Sequence, residues 1–182
     1  MATTHPDAPL VVNIARLGRR PGSMMALRHT VASPSRIGLE MQAVAAGDPL
    51  ELDLQLQSVS EGVLVTGTVA GPVTGECSRC LAGFTDRVEV SLTELFAYPD
   101  STTEATTDAD EVGRVVDDTI DLEQAIIDAV GLELPLAPLC RDDCPGLCPH
   151  CGIPMATAEP GHRHEVIDPR WAKLAGLLRD QQ

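Results

Sequence analysis

Strict alternation of apolar and polar residues marks the middle of the chain as a β-sheet. In residues 50–57, LELDLQLQ, leucine occupies every second position and an acidic or amide side chain occupies each position between. Because successive side chains of a strand point to opposite faces, this period of two predicts a strand with one buried face. A turn at Ser60-Glu61-Gly62 leads to a return strand over Val63 to Val69, and a third alternating run starts near Phe84. We therefore expect an antiparallel sheet with one solvated face.

Weaker patterns on either side of this sheet predict a further strand and two helices. Residues 10–17 are typical of a short strand, with a turn at Arg20-Pro21-Gly22. Asp121 is expected to cap a helix with Gln124 as its capping-box partner. That helix carries an apolar stripe of Leu122, Ile126, Ala129 and Val130. A last helix begins at Asp168-Pro169 and either packs on the sheet or docks on a partner through Trp171, Leu174, Ala175 and Leu178.

These elements predict one α+β domain, an antiparallel sheet, either open or curled toward a barrel, with two helices and a C-terminal cysteine-rich segment. Its 182 residues suit a single domain. The expected parts are a basic N-terminal segment (1–36), the sheet (37–98), an acidic mobile loop (99–118), a helix (119–138), a cysteine knot (139–152) and a C-terminal helix (168–180).

Charge is distributed unevenly along this acidic chain. The net charge is −14, yet residues 1–36 hold five arginines and one acid, Asp7. A strongly negative surface disfavours a protein that binds nucleic acid over its whole surface, because phosphate contacts need a positive field. The presence of only one Trp, one Tyr and two Phe also disfavours a stacking platform for single-stranded nucleic acid. Contact with nucleic acid is therefore expected only through the N-terminal segment or indirectly.

Six cysteines dominate the candidate chemistry. The chain has neither a run of 18 apolar residues nor a basic leader before an apolar run, so we expect a cytoplasmic protein with reduced thiols. Clustered cysteines there are more often metal ligands than disulfides. One C-x2-C pair is Cys77 and Cys80, and the stretch LCRDDCPGLCPHCG holds the other four cysteines. This arrangement predicts a structural zinc site of tetrahedral thiolates.

Three ligand sets fit these spacings. We favour Cys77, Cys80, Cys148 and Cys151, which takes one knuckle from each group. The alternates are Cys140 and Cys144 in place of the second knuckle, or all four C-terminal cysteines on one ion, with His150, His162 and His164 able to substitute. Any set that includes the first pair would tie the end of the sheet to the C-terminal knot. A catalytic metal is less favoured, because six cysteines suit a closed site. A redox dithiol is less favoured, because Cys77-x2-Cys80 precedes strand-like sequence and not the helix N-terminus that lowers a cysteine pKa.

Four segments in fixed order resemble one protein family. They are RLGRRPGSM (16–24), GECSRCL (75–81), LPLAPLCRDDCPGLCPHCG (134–152) and DPRWAKLAGL (168–177). Together they resemble the YceD family, the large ribosomal RNA subunit accumulation proteins, in its actinobacterial type. The resemblance implies a cytoplasmic bacterial factor for the accumulation or processing of large-subunit ribosomal RNA, and hence for ribosome assembly, with no catalytic residues to carry over.

Direct binding to RNA would need cations. The candidates for contact with RNA or a partner are Arg16, Arg19, Arg20, Arg28, Arg36 and Arg79. One alternative is a protein-only adaptor whose acidic surface meets basic ribosomal proteins. A metal-dependent nuclease is a weaker alternative, because the carboxylates show no recognisable two-metal arrangement.

Overall fold

The computed structural model describes residues 8–108, 111–164 and 170, and it confirms an α+β fold built on antiparallel strands. In chain order the elements are β1 (Val11–Asn13), β2 (Met24–Ala32), β3 (Ile37–Gly38), β4 (Gln42–Val44), β5 (Pro49–Ser58), β6 (Gly62–Glu76), β7 (Gly83–Ala97), α1 (Thr102–Thr106), β8 (Gly113–Arg114), β9 (Thr119–Asp121) and α2 (Glu123–Glu133).

Strand β6 is the centre of a seven-stranded sheet. One of its edges pairs with β5 and, further along, with β4, while its other edge pairs with β7. The order β2-β5-β6-β4-β3 runs along the first side, and the short β8 adds to β7 in parallel. Strands β1 and β9 form a separate two-stranded ribbon. Within the described residues the sheet stays open and does not close into a barrel.

The alternation of β5 is reproduced in its burial. Leu50, Leu52, Leu54 and Leu56 are all at most 4% exposed, whereas Glu51, Asp53 and Gln55 face solvent. Each buried leucine stabilises the fold by about 1.5–3 kcal/mol relative to exposure. The buried face is covered by α2, which packs on β7 through Ile126 and Val130, and by the β1–β9 ribbon.

The hairpin formed by β6 and β7 determines where the first cysteine pair lies. The two strands have 15 residues each and pair without a break from Gly62 opposite Ala97 to Glu76 opposite Gly83. The loop at the tip of this hairpin is residues 77–82, which contains the first C-x2-C pair. The first C-x2-C pair therefore lies at the end of the sheet, directly after the last paired residues of β6 and β7.

The elements outside the central meander differ in extent from the sequence predictions. Strand β2 lies in the segment expected to be merely basic, because Met25, Leu27 and Val31 alternate as partly buried positions. The acidic stretch 99–118 holds α1 and β8. The helix expected over 119–138 is α2, and residues 119–121 instead form β9. The predicted helix over 168–180 lies outside the described residues, apart from residue 170.

The predicted capping box of α2 is wrong. Leu122 occupies the N-cap position and makes no side-chain capping bond. Asp121 Oδ1 instead accepts a hydrogen bond from the Glu123 N–H, and Gln124 Nε2 donates to Asp128 Oδ1. The reason is that Asp121 is paired in β9, so the helix begins one residue later than the sequence pattern indicates.

A glycine in the middle of β6 gives a test of the sheet. Gly67 has φ +142°, and a Cβ there would lie 2.1 Å from the Asp53 carbonyl oxygen. We expect Gly67→Ala to lower the free energy of unfolding by about 2–4 kcal/mol. Gly83→Ala is the matched control, because the nearest atom to its added Cβ is 3.9 Å away. Urea unfolding followed by circular dichroism compares the two; equal stability would contradict this account of β6.

Candidate metal centre

Four sulfur atoms meet where the tip of the β6–β7 hairpin touches the C-terminal segment. Cys77 and Cys80 come from the hairpin, and Cys140 and Cys144 come from the chain after α2. Their ligand atoms all lie within 4.8 Å of one another. The Sγ atoms of Cys77 and Cys144 are 3.7 Å apart, as are those of Cys80 and Cys140. We call these four residues the sulfur quartet.

The spacing of the quartet matches a tetrahedral metal site. Zn–S bonds of about 2.3 Å give sulfur–sulfur edges of about 3.8 Å in a tetrahedron. Two of the six sulfur–sulfur separations are 3.7 Å, which fits that edge and is far from the ~2.05 Å of a disulfide, and all six cysteines are free thiols. The quartet could therefore hold one metal ion, with no place among its four ligands for an open coordination position.

Backbone hydrogen bonds dock the C-terminal segment onto the hairpin tip. The Ser78 N–H donates to the Pro138 carbonyl at 2.8 Å, and the Leu147 N–H donates to the Arg79 carbonyl at 3.1 Å. Below the tip, the buried Gln42 side chain donates through Nε2 to the Pro135 carbonyl at 2.7 Å. These bonds fix the path of the chain that delivers the second half of the quartet.

The hairpin tip has the geometry of a metal-binding knuckle. The Cys77 N–H donates to the Ala82 carbonyl, and the Leu81 N–H donates back to the Cys77 carbonyl, both at 2.9 Å. Closing this turn requires a left-handed residue, and Leu81 has φ +59°. A leucine pays a conformational cost there that a glycine would not.

The second C-x2-C pair repeats this knuckle. The Cys148 N–H donates to the Ile153 carbonyl and the Gly152 N–H donates to the Cys148 carbonyl, both at 2.8 Å. Gly152 takes the left-handed position with φ +72°. The two pairs are thus equivalent in local backbone, although they lie in different parts of the chain.

Peptide N–H groups polarise the first sulfur of the quartet. The Cys140 N–H lowers the pKa of the Cys77 thiol to about 6, against the opposing effect of burial, and the N–H groups of Arg79 and Cys80 act in the same direction. A thiol with this pKa is largely thiolate at neutral pH, which is the form that binds metal.

The other half of the quartet is held protonated when no cation is present. Desolvation raises the pKa of Cys140 to about 12, and the neighbouring sulfurs add to this rise. A hydrogen bond from the Gly146 N–H lowers the pKa of Cys144, but burial and neighbouring sulfurs outweigh it and the pKa is raised. A cation at the centre would reverse this, since coordinated thiols are deprotonated.

The remaining two cysteines meet histidines. Cys148 and Cys151 lie with His162 and His164, and their ligand atoms are again within 4.8 Å of one another. We call these four residues the mixed cluster. The His150 and Cys151 N–H groups lower the pKa of Cys148 to about 6 against the effect of burial, as at the first knuckle.

The structure groups the cysteines as the alternate set, not as the favoured one. Cys77 and Cys80 are brought together with Cys140 and Cys144, and the second knuckle faces the histidines. The sequence reasoning named His162 and His164 only as substitutes and missed this specific combination. The signal that could have found it is a C-x2-C pair followed, after 10 residues, by H-x-H.

Two of the candidate arginines are engaged within the chain by polar contacts. Arg28 Nε forms an exposed ion pair with Asp53 at 3.0 Å, across the β2–β5 pairing. The Arg36 guanidinium donates to the carbonyls of Leu39 and Glu40. Arg28 is thus paired with an acid, whereas Arg36 is held by backbone carbonyls.

Two further arginines support the fold at opposite ends of the sheet. Arg79 Nη1 donates to the Cys144 carbonyl at 3.0 Å and so buttresses the quartet. The Arg19 guanidinium carbon lies 5.1 Å from the ring centroid of Tyr98, whose hydroxyl is hydrogen-bonded to the buried Ser58 at 2.8 Å. Cation–π attraction thus anchors Arg19 to the sheet.

The last two of the six candidate arginines, Arg16 and Arg20, are both exposed. With Arg19 they form the basic loop (residues 16–20), which buried Leu17 fastens to the core. Neither Arg16 nor Arg20 forms an ion pair with any acid that the structure describes.

Comparison with known proteins gives a consistent set of relatives. The family described as large ribosomal RNA subunit accumulation protein YceD matches residues 65–178. The uncharacterized protein Rv2926c of Mycobacterium tuberculosis (strain ATCC 25618 / H37Rv) is 68% identical over 97% of this chain and 85% of its own length. The uncharacterized protein ML1660 of Mycobacterium leprae (strain TN) is 57% identical over 96% and 80%.

A more distant relative is the uncharacterized protein YlbN of Bacillus subtilis (strain 168), which is 31% identical over 62% of this chain and 64% of its own length. No solved structure matches the chain. None of the helices that the structure describes has the length and apolar character needed to span a membrane.

The left-handed Leu81 offers a test of the first knuckle. Leu81→Gly removes the conformational cost at φ +59°, so we expect the free energy of unfolding to rise by about 0.5–1 kcal/mol. Leu81→Ala is the control, because alanine keeps that cost while removing the half-exposed side chain. Chemical denaturation of the metal-loaded protein measures both. An equal gain in the alanine variant would show that the side chain, and not the backbone, is responsible.

Proposed function

This chain belongs to the YceD family of large ribosomal RNA subunit accumulation proteins, and we propose that it is a non-enzymatic cytoplasmic factor that supports accumulation of large-subunit ribosomal RNA and ribosome assembly. The ribosome-related role is supported by the family's name. The proposal adds a direct contact with RNA and a structural zinc ion, each of which rests on a separate feature of the chain.

The basic loop is the observation that supports direct contact with RNA. It places three arginines in five residues on a chain of net charge −14, and none of the three forms an ion pair with an acid among the described residues. Arg19 packs on the Tyr98 ring, which leaves Arg16 and Arg20 for contact with phosphate. The loop's apolar anchor Leu17 is 5% exposed, so the loop is held against a rigid core. Phosphate contacts by arginine need such an unpaired, exposed cation. The family match begins at residue 65, so this part of the proposal rests on the loop alone.

The sulfur quartet supports a structural zinc ion. Four thiolate donors at tetrahedral spacing suit zinc, and a closed set of four cysteines is the usual composition of a structural site. The ion would link Cys80 to Cys140, which are 60 residues apart. Because the unfolded chain does not hold such a site, the free energy of metal binding becomes free energy of folding.

The non-enzymatic part of the proposal agrees with the family, which is not a known enzyme family. In residues 8–108 and 111–164, the side-chain clusters that could hold a metal consist of cysteine and histidine. A two-metal nuclease needs bridging carboxylates instead. This composition favours an assembly factor over a nuclease.

The contact with RNA is tested by Arg16→Gln/Arg20→Gln, with Arg19 retained because it packs on Tyr98. We expect weaker binding to transcribed large-subunit ribosomal RNA, and a slope of log K against log salt that is shallower by about 2. The matched control is Arg28→Gln/Arg87→Gln, which removes the same charge from residues already paired with Asp53 and Glu51.

The two variants separate a local contact from a general effect of charge. Equal loss in both, or no change in the slope for Arg16→Gln/Arg20→Gln, would overturn the contact at the basic loop. If neither variant changes association with pre-ribosomal particles and crosslinks reach only basic ribosomal proteins, the protein is an adaptor that binds protein alone.

The zinc ion is tested by comparing one cysteine of each cluster. We expect Cys144→Ser to lose one equivalent of zinc and several kcal/mol of stability, because it opens the link between hairpin and knot. Cys151→Ser removes a thiol outside the quartet and should leave thermal unfolding of the sheet nearly unchanged. Mass spectrometry of bound metal and circular dichroism measure both. The reverse result would restore Cys77, Cys80, Cys148 and Cys151 as the ligand set.

A further inference from the structure

We propose that the mixed cluster is a second metal centre, in which Cys148, Cys151, His162 and His164 bind a zinc-class divalent cation independently of the sulfur quartet. This goes beyond the structural zinc proposed above, because it gives the C-terminal segment two ions with different ligands and different consequences for the fold.

The distances in the cluster approach those of a coordinated ion. His162 Nε2 lies 3.4 Å and His164 Nε2 lies 3.2 Å from Cys151 Sγ, and the two Nε2 atoms are 3.1 Å apart. A tetrahedral zinc site has nitrogen–sulfur edges of about 3.6 Å and nitrogen–nitrogen edges of about 3.3 Å. Both imidazoles therefore present the same ring atom to one centre, together with a thiol.

Hydrogen bonding alone does not account for this convergence. An imidazole Nε2 has a single in-plane position, which either donates or accepts one hydrogen bond. Each Nε2 of the cluster nevertheless has two close neighbours, Cys151 Sγ and the other Nε2. One cation at the centre satisfies all of these lone pairs at once, whereas pairwise hydrogen bonds leave contacts unsatisfied.

The backbone around the cluster is organised to bring these ligands together. The Cys148 knuckle is closed by Gly152, as described above, and the next residues turn back on it. The Met155 N–H donates to the Gly146 carbonyl at 2.9 Å, and the His162 N–H closes a turn onto the Glu159 carbonyl at 3.0 Å. The H-x-H pair thus returns to the knuckle from only 11 and 13 residues away.

The two centres differ in charge and in exposure. Four thiolates leave about −2 on a zinc ion, whereas two thiolates and two neutral imidazoles leave it neutral. Two ligands of the quartet, Cys77 and Cys144, are buried and one, Cys140, is exposed. In the mixed cluster Cys148 alone is buried, and two ligands, Cys151 and His164, are exposed. The second centre is therefore more open to competing chelators than the quartet.

The loops that the two centres close also differ. The entropy of closing a loop grows with its length, so the quartet, spanning 60 residues or more, constrains the fold more than the mixed cluster does. Metal loss from the mixed cluster should release only the turn that follows the second knuckle. We therefore expect a chelator to remove this ion first, with the sheet still folded.

The experiment counts metal in the full-length protein. After reconstitution with zinc and gel filtration, we expect about two equivalents in the wild type and about one in His162→Ala/His164→Ala. His150→Ala is the matched control and should keep both ions. Its ring lies 5.5 Å from that of His164, yet it is not one of the four converging ligands.

Cobalt substitution and a chromophoric chelator identify which ion is which. The histidine variant should keep the near-ultraviolet absorption of a four-thiolate cobalt site and lose the contribution of the mixed site. In the wild type, the chelator should remove one ion before any change in circular dichroism. One equivalent in the wild type that the double variant retains would overturn the proposal. Equal metal loss in His150→Ala, or loss of both ions together with unfolding, would overturn it as well.

Discussion

The structure depends on the unbroken pairing of β6 with β7. β6 is also the strand to which β5 and β4 add, so the same 15 residues organise the sheet and carry its tip to the first knuckle. The ladder continues into the knuckle, where the Cys77 N–H donates to the Ala82 carbonyl. As a result, the sheet itself positions two of the four sulfurs, and the C-terminal segment docks onto the hairpin tip to supply the other two.

The same knuckle used twice gives two different outcomes. In both copies peptide N–H groups lower the pKa of the first sulfur to about 6, but at Cys77 the largest effect comes from the Cys140 N–H of the docked segment, whereas at Cys148 it comes from His150 and Cys151 within the knuckle. The partners differ because the chain path differs: Ser78 and Arg79 receive the segment around residues 138–147, while the second knuckle is left to its own downstream turn. One cluster therefore joins distant parts of the fold and the other organises only its neighbourhood.

The meander and the presence of cysteine clusters could be predicted from the sequence, because both are local patterns. LELDLQLQ determines which face is buried, and C-x2-C determines a knuckle. The pairing of the knuckles could not, since it is set by tertiary contacts such as the bond from Gln42 to the Pro135 carbonyl. Cys140-x3-Cys144 lacks knuckle spacing, so the sequence offers this pair only as an alternate to the second knuckle. Nor could the sequence separate Arg19, which packs on Tyr98, from its neighbours.

The distribution of ion pairs explains how an acidic chain can still offer a positive contact. On the solvated face of the sheet, Arg28 is matched by Asp53 and Arg87 by Glu51, and Arg87 lowers the pKa of Glu51 through two hydrogen bonds. The two charges of each pair cancel at short range. The arginines of the basic loop belong to none of the ion pairs of the described residues, and screening over about 8–10 Å weakens the influence of distant acids on them. Local unpaired charge, and not the net charge of −14, then decides where a polyanion can approach.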